Sequence, residues 1–141
     1  MLATDPDCDR VGLAVLTGDE YVLLSGNDVG VLLAEYMLSA RKEKGTLPEN
    51  SLMTKSFVST PLITRVAAKY GCTVVDVLTG FKYVGEFVTN LEKEGEEHRF
   101  IMGFEEAYGY LIGTHVRDKD AVTSSRLCAM MKKRELILKI T

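Results

Sequence analysis

No unbroken apolar run in the 141-residue chain exceeds a few residues, far short of the roughly 20 that a membrane-spanning helix needs. The opening Met1-Leu2-Ala3-Thr4-Asp5 has neither the basic nor the apolar segment that begins a secretory signal. Cysteine is sparse: Cys8, Cys72 and Cys128 are odd in number and nowhere spaced C-x-x-C, which argues against a disulfide framework and against a zinc site. Positive charge is not in excess either. Lys and Arg number 17 against 20 Asp and Glu, a net charge of −3. The only basic cluster is Lys132-Lys133-Arg134, so DNA or RNA meets no electrostatic footprint. These absences predict a cytoplasmic protein with reduced thiols and with neither a membrane nor a nucleic acid as partner.

What is present is the composition of a globular chain, 46% apolar and 26% charged, in a length that buries one sizeable core. Val11–Leu16 reads as a buried strand ending at the turn Thr17-Gly18-Asp19, with Tyr21–Leu24 as its hairpin partner. Ser25-Gly26-Asn27-Asp28 offers capping side chains ahead of Val29, Leu32, Leu33, Tyr36 and Met37, whose spacing makes one apolar helical face. That helix is expected to end near Lys42–Gly45. The Gly- and Pro-containing stretch 45–50 then divides the chain into a unit 1–50 and a unit 51–141. Beyond it, strands are expected at 51–57, 73–77 and 99–103. Helices are expected at 61–70, with Leu62, Ile63, Val66 and Ala67 inward, at 82–94, and from Asp120 through Met131. Strands alternating with helices predict an α/β fold with helices packed on a largely parallel sheet.

Four strings at loop positions carry side chains with chemical potential. Asp5-Pro6-Asp7-Cys8-Asp9-Arg10 sets three carboxylates at alternating positions, hard oxygen donors of the kind Mg²⁺ or Ca²⁺ prefers. Arg10 and Leu16 stand where an EF-hand needs Gly and Glu, which excludes a calcium-sensor loop and leaves a solvated acidic turn as the alternative. In Thr79-Gly80-Phe81-Lys82, Lys82 either meets an anion at the C-terminal edge of the sheet or is a surface lysine after a glycine turn. Gly103–Tyr110 contains Glu105 and Glu106, adjacent carboxylates that cannot both be buried unpaired. Glu105 suits vicinal hydroxyls as a bidentate acceptor, the alternative being a charged loop between packing aromatics. In His115-Val116-Arg117-Asp118-Lys119-Asp120, strand-like alternation sends His115, Arg117 and Lys119 to one phosphate-holding side. The alternative is a solvated run in which Asp120 caps the final helix.

Taken in this order, the four strings resemble the α-D-phosphohexomutases, the phosphoglucomutase and phosphomannomutase family, over residues 3 to about 131. The resemblance implies the end of that family's second domain followed by most of its third, and hence a mixed, largely parallel sheet flanked by helices and preceded by a partial domain. It implies Mg²⁺ as cofactor, held by Asp5, Asp7 and Asp9, with Arg10 beside it in the catalytic machinery. Glu105 corresponds to a carboxylate that contacts sugar hydroxyls, and Ala107 to a substrate position where the family often has serine. Lys82, His115 and Arg117 match substrate-side positions, and Lys119 is the candidate for proton transfer. The implied substrate is a hexose phosphate whose phosphoryl group moves between the 1- and 6-positions. The family's phosphoryl-carrying serine lies in a Thr-Ala-Ser-His-Asn-Pro-like loop, and no such string occurs in this chain, whose histidines are at 98 and 115 only. The resemblance therefore predicts a fragment, inactive alone. The alternative is a stand-alone sugar-phosphate-binding or regulatory module. The tail 132–141 departs from the family. A partial domain also leaves a strand edge at 11–24 and a helix face at Val29–Met37 to be covered, which predicts a homodimer.

Overall fold

The computed structural model describes residues 1–133; the expectation for the tail beyond them lies outside the described residues. Strands β1 (Leu2–Thr4), β2 (Val11–Thr17) and β3 (Glu20–Leu23) form an antiparallel sheet in that order. The second sheet has the order β5-β4-β6-β7, built from β4 (Leu52–Ser56), β5 (Thr73–Val77), β6 (Phe100–Glu105) and β7 (Gly109–Ile112). In it, β4 runs parallel to β5 and β6, and β7 returns antiparallel to β6. This is the expected mixed, largely parallel sheet.

Among the described residues four helices cover it: α1 (Gly26–Glu43), α2 (Leu62–Ala68), α3 (Phe81–Lys93) and α4 (Ala121–Lys133). Side-chain alternation along β7 and along β6 from Met102 onward decides the layers, while a register shift between Phe100 and Met102 puts those two residues on opposite faces. Met102, Phe104, Tyr110 and Ile112 join residues of α1, α2 and α4 in the larger core. Phe100 and Leu111 join Phe81, Val84, Val88 and Leu91 of α3 in the smaller one. The start of α1 is fixed by a capping box, in which the Asp28 N–H donates to Ser25 Oγ at 3.2 Å and the Ser25 N–H to Asp28 Oδ2 at 3.0 Å. Such a cap stabilises a helix end by about 1 kcal/mol.

Several expectations are revised. Loop 45–50 lies where it is expected, but it parts no two cores: Val11, Leu13, Val29 and Leu33 share a cluster with Met53, Ile63 and Ile101. The α1 face expected to be bare is covered, since Val29, Leu32, Leu33 and Tyr36 are buried in that same cluster. Leu62 faces solvent, because the buried stripe of the seven-residue α2 runs through Ile63, Val66 and Ala67 and leaves Leu62 at its margin. Two short strands add to those expected: β1, which pairs with β2, and β7, in a segment whose sequence reads as a loop. Exposed apolar surface does remain on β3, where Tyr21, Val22 and Leu23 face solvent and the outer edge is unpaired among the described residues. No described helix is long and apolar enough to cross a membrane.

Parallel pairing brings the C-terminal ends of β4, β5 and β6 to one edge of the sheet, where α/β proteins place ligand loops. Two of the four strings, 79–82 and 103–110, lie there.

Candidate active site

The acidic turn is folded by its own first carboxylate. Asp5 Oδ1 accepts the N–H of Asp9 at 3.2 Å and of Arg10 at 3.0 Å, and the Cys8 N–H donates to the Asp5 carbonyl at 3.0 Å. Cys8 takes the left-handed conformation, φ 57°, which turns the chain back on itself. Carboxylate oxygens of Asp5, Asp7 and Asp9 thus lie within 4.8 Å of one another. The Arg10 N–H is the main influence that holds the Asp5 carboxyl below its ordinary range. Asp9 Oδ1 is buried and accepts no hydrogen bond, while Asp9 Oδ2 faces Lys119 Nζ at 3.0 Å. Arg10 Nε stands 3.6 Å from Asp9 Oδ1 and 3.8 Å from Asp5 Oδ2. Clustered anionic oxygens, one of them buried without a hydrogen bond, with an ammonium already drawn to them, fit a hard divalent cation.

Beside this turn lies the tip of the β6–β7 hairpin. Glu105 pairs with Gly109 across a three-residue connection whose last member, Tyr108, has φ 65°, the αL position such hairpins require. The Gly80 N–H donates to Glu105 Oε1 at 2.6 Å. Glu106 Oε2 accepts from Ser56 Oγ at 2.8 Å and Ser59 Oγ at 3.0 Å. Partial burial raises the Glu106 pKa, but the hydroxyls of Ser56 and Ser59 and its own backbone N–H outweigh it and hold the group below the ordinary value. Ala107 is exposed at the tip.

The loops touch in sequence. Arg10 forms a β-bridge with Gly109, and the Val11 N–H donates to the Tyr108 carbonyl at 3.2 Å. The Ala121 N–H donates to the Cys8 carbonyl at 3.3 Å, and the Asp120 N–H to the Tyr110 carbonyl at 2.8 Å. The Lys119 stem crosses Gly109, where a Cβ would lie 2.3 Å from Lys119 Cδ, and its Nζ stands 5.3 Å from the centre of the Phe81 ring. Burial disfavours the Lys119 ammonium, but its hydrogen bonds to Asp9 and Asp118 outweigh this and raise its pKa.

Residues 113–120 are bends, not a strand, so the expected alternation fails and the three side chains diverge. His115 Nε2 lies 2.8 Å from Asp120 Oδ2. Arg117 turns to α3: its Nε donates to Thr89 Oγ1 at 3.2 Å, its Nη2 pairs with Glu92, and its Nη1 donates to the Thr114 carbonyl at 2.6 Å. Only Lys119 reaches the aspartate turn. Lys82 is exposed, with its Nζ 4.8 Å from the centre of the Tyr83 ring. Sequence reasoning missed the Ser56–Ser59–Glu106 cluster. Its one signal was that Glu106, next to Glu105 at a sheet edge, needed a donor.

The sequence profile described as phosphoglucomutase/phosphomannomutase, alpha/beta/alpha domain III, matches residues 25–139, and so includes most of the tail expected to depart from the family. The chain belongs to this family. Among its phosphoglucomutase/phosphomannomutase relatives, the phosphomannomutase of Mycoplasmoides pirum is 39% identical over 127 residues, which are 90% of this chain and 22% of that protein. The phosphoglucomutase of Staphylococcus haemolyticus is 37% identical over 123 residues, 86% of this chain and 21% of that protein. The mouse phosphopentomutase is 36% identical over 133 residues, 92% and 21%. The chain therefore spans about a fifth of the length of these relatives. Among solved structures, a Thermus thermophilus protein assigned as a phosphomannomutase superposes with a TM-score of 0.68 at 27% identity, over 95% of this chain and 30% of that one. An N-acetylglucosamine-phosphate mutase in its apo form has the same fold, with a TM-score of 0.61 at 15% identity, over 92% and 34%.

Proposed function

We propose that the four loops are the metal- and sugar-contacting part of a Mg²⁺-dependent sugar-phosphate mutase. Its substrate is a hexose phosphate, or a pentose phosphate as in the relative named phosphopentomutase. The observation that carries this reading is the unbroken chain of contacts: Lys119 to Asp9, Arg10 to Gly109, Gly109 to Glu105 and Glu105 to Gly80. Residues that the sequence scatters over more than 110 positions thus converge on one surface.

Asp5, Asp7 and Asp9 would hold the ion. When bound, it offsets the charge that develops on the oxygens of a transferring phosphoryl group. Arg10 lends a second positive charge at the same edge. Lys119, with Nζ 3.0 Å from both Asp9 and Asp118, is the candidate for proton transfer to or from the reacting sugar hydroxyl. Glu105, with Oε1 held by the Gly80 N–H, presents Oε2 to sugar hydroxyls. Ala107 adds no hydroxyl contact, so the burden of orienting the sugar falls on Glu105. Lys82, exposed in the first turn of α3, meets phosphate, whereas His115 and Arg117 brace the loop that carries Lys119.

The chain holds no Thr-Ala-Ser-His-Asn-Pro-like string, and we expect no turnover from it alone. The test supplies glucose 1-phosphate, Mg²⁺ and glucose 1,6-bisphosphate and follows glucose 6-phosphate. Conversion at mutase rates overturns the inactivity. In parallel, calorimetry should find Mg²⁺ bound with a Kd of about millimolar, and the triple change Asp5→Asn, Asp7→Asn, Asp9→Asn should abolish it. Binding that survives the triple change overturns the metal assignment. Tight sugar-phosphate binding without turnover would favour the stand-alone binding module. The free edge of β3 is where a second copy would add a strand; sedimentation that reports monomer at every concentration removes that part of the proposal.

A further inference from the structure

We propose that Lys119 is a built-in counter-cation of the aspartate turn, displaced from Asp9 when a divalent ion binds. The lysine thereby sets the metal affinity of the turn, and the metal sets which carboxylate the lysine holds. This rests on the metal reading above.

Lys119 Nζ lies 3.0 Å from two carboxylates, Asp9 Oδ2 in the acidic turn and Asp118 Oδ1 on its own loop. The Lys119 side chain is only 17% exposed, whereas Asp118 is 73% exposed. Its stem lies against Gly109 and its Nζ stands 5.3 Å from the centre of the Phe81 ring, which brings the ammonium within reach of both carboxylates. Arg10 is the other cation near the turn, but it stands 3.6 and 3.8 Å from its partners and reaches them from Nε alone. Among the described residues the closest positive charge to the three aspartates is therefore the lysine, and it holds the carboxylate whose other oxygen is buried without a hydrogen bond.

An ammonium at that distance and a dication coordinated by the same carboxylate repel each other over a few ångströms. Lysine suits such an exchange because its charge is compact and sits on a flexible stem. Asp118 makes the exchange inexpensive, since the ammonium can leave Asp9 and keep one ion pair. Without metal, Lys119 spares the turn from holding three carboxylates with only Arg10 to compensate them. With metal, the lysine is handed to Asp118 and its Nζ is released from the acidic turn.

The test is calorimetric titration of the full chain with Mg²⁺, repeated with Mn²⁺. Lys119→Met removes the charge and keeps the stem; it should bind either ion about tenfold more tightly, the scale of one unit charge a few ångströms away in a largely aqueous setting. Asp118→Asn removes the alternative partner and should weaken binding. Thermal melts supply the second readout. Lys119→Met should melt below the unmodified chain without metal and gain more than it does on adding Mg²⁺, because a tighter ligand shifts the folding equilibrium further. If Lys119→Met fails to fold, Lys119→Gln carries the same expectations. Equal or weaker metal binding in the lysine variant overturns this proposal while leaving the metal site intact. No binding in any variant overturns the metal reading itself.

Discussion

Gly26 lies so close to Glu106 that a Cβ on the glycine would stand 1.9 Å from the Glu106 carbonyl oxygen. The Tyr110 hydroxyl, buried beneath, donates to the Gly26 carbonyl at 2.9 Å, so the first turn of α1 and the β6–β7 hairpin are locked on each other. The obstacle to a side chain here is backbone, which cannot rotate away. Gly26→Ala should cost at least about 1–3 kcal/mol, the range for overpacked sites, and displace the hairpin tip. Gly12→Ala is the control, since its Cβ would meet nothing nearer than 4.0 Å, and it should stay within about 0.5 kcal/mol of the parent. Urea unfolding of the two variants reads the difference; equal midpoints would show that the contact carries no constraint.

Glu106 anchors the hairpin from its other side through Ser56 and Ser59, whose hydroxyls are also 2.7 Å apart. Two hydroxyl protons serve three close contacts, so the cluster acts as a unit. Glu106→Ala should destabilise by about 2–3 kcal/mol, the cost of leaving the hydroxyls without their charged acceptor. Combined with Ser59→Ala it should be non-additive by at least about 0.5 kcal/mol. A double-mutant cycle in urea measures the coupling, and strict additivity would mean that the serines do not hold the carboxylate.

Asp120 links the lysine loop to α4. Its Oδ1 accepts the Thr123 N–H at 3.1 Å and its Oδ2 the Thr123 hydroxyl at 2.5 Å, with His115 also on Oδ2. Burial raises its pKa, but Thr123 and then His115 outweigh it and hold the carboxyl below 3.8. A depressed folded pKa contributes stability that is present above the unfolded value and disappears as pH falls through the folded one. Asp120→Ala should therefore cost about 1 kcal/mol at neutral pH, the usual loss of an N-cap, and that deficit should shrink once pH drops below 3.8. Thermal melts across the acid range check this; a deficit that does not change with pH would assign it to packing alone.

The periodic elements were legible because apolar spacing dictates them. Val29, Leu32, Leu33 and Tyr36 announce α1, and Val84, Val88 and Leu91 announce α3, whichever neighbours they pack against. The coverage of α1 was not legible, because Phe104 meets Gly30 only after a sheet has formed from strands distant in sequence. Site residues divided the same way. Asp5, Asp7 and Asp9 converge through a turn closed within six residues, which spacing alone can express. His115, Arg117 and Lys119 share a spacing too, but their directions are set by tertiary partners: Asp120 for His115, Thr89 and Glu92 of α3 for Arg117, and Asp9 for Lys119. Alternation predicts a common face only where a neighbouring strand enforces the pleat, and residues 113–120 pair with none.

Cys128 lies in the larger core with α1 and β7 at its back, and burial pushes its thiol from 9.0 up to about 11. Below pH 9 both folded and unfolded chains carry it protonated, and it has no pH-dependent effect. Between 9 and 11 the unfolded chain loses that proton while the folded chain keeps it, so stability falls by about 1.4 kcal/mol per pH unit. Tyr70, raised to about 12 by burial and by the Glu35 carboxylate beside its hydroxyl, adds to the decline but is common to any Cys128 variant. Cys128→Ala should be less stable at pH 8 for want of the buried sulfur, and it should lose less as pH rises. The gap between the two proteins should narrow by about 2–3 kcal/mol from pH 9 to pH 11. Urea midpoints at unit intervals of pH provide the measurement, and parallel curves would mean that the thiolate is tolerated where it lies.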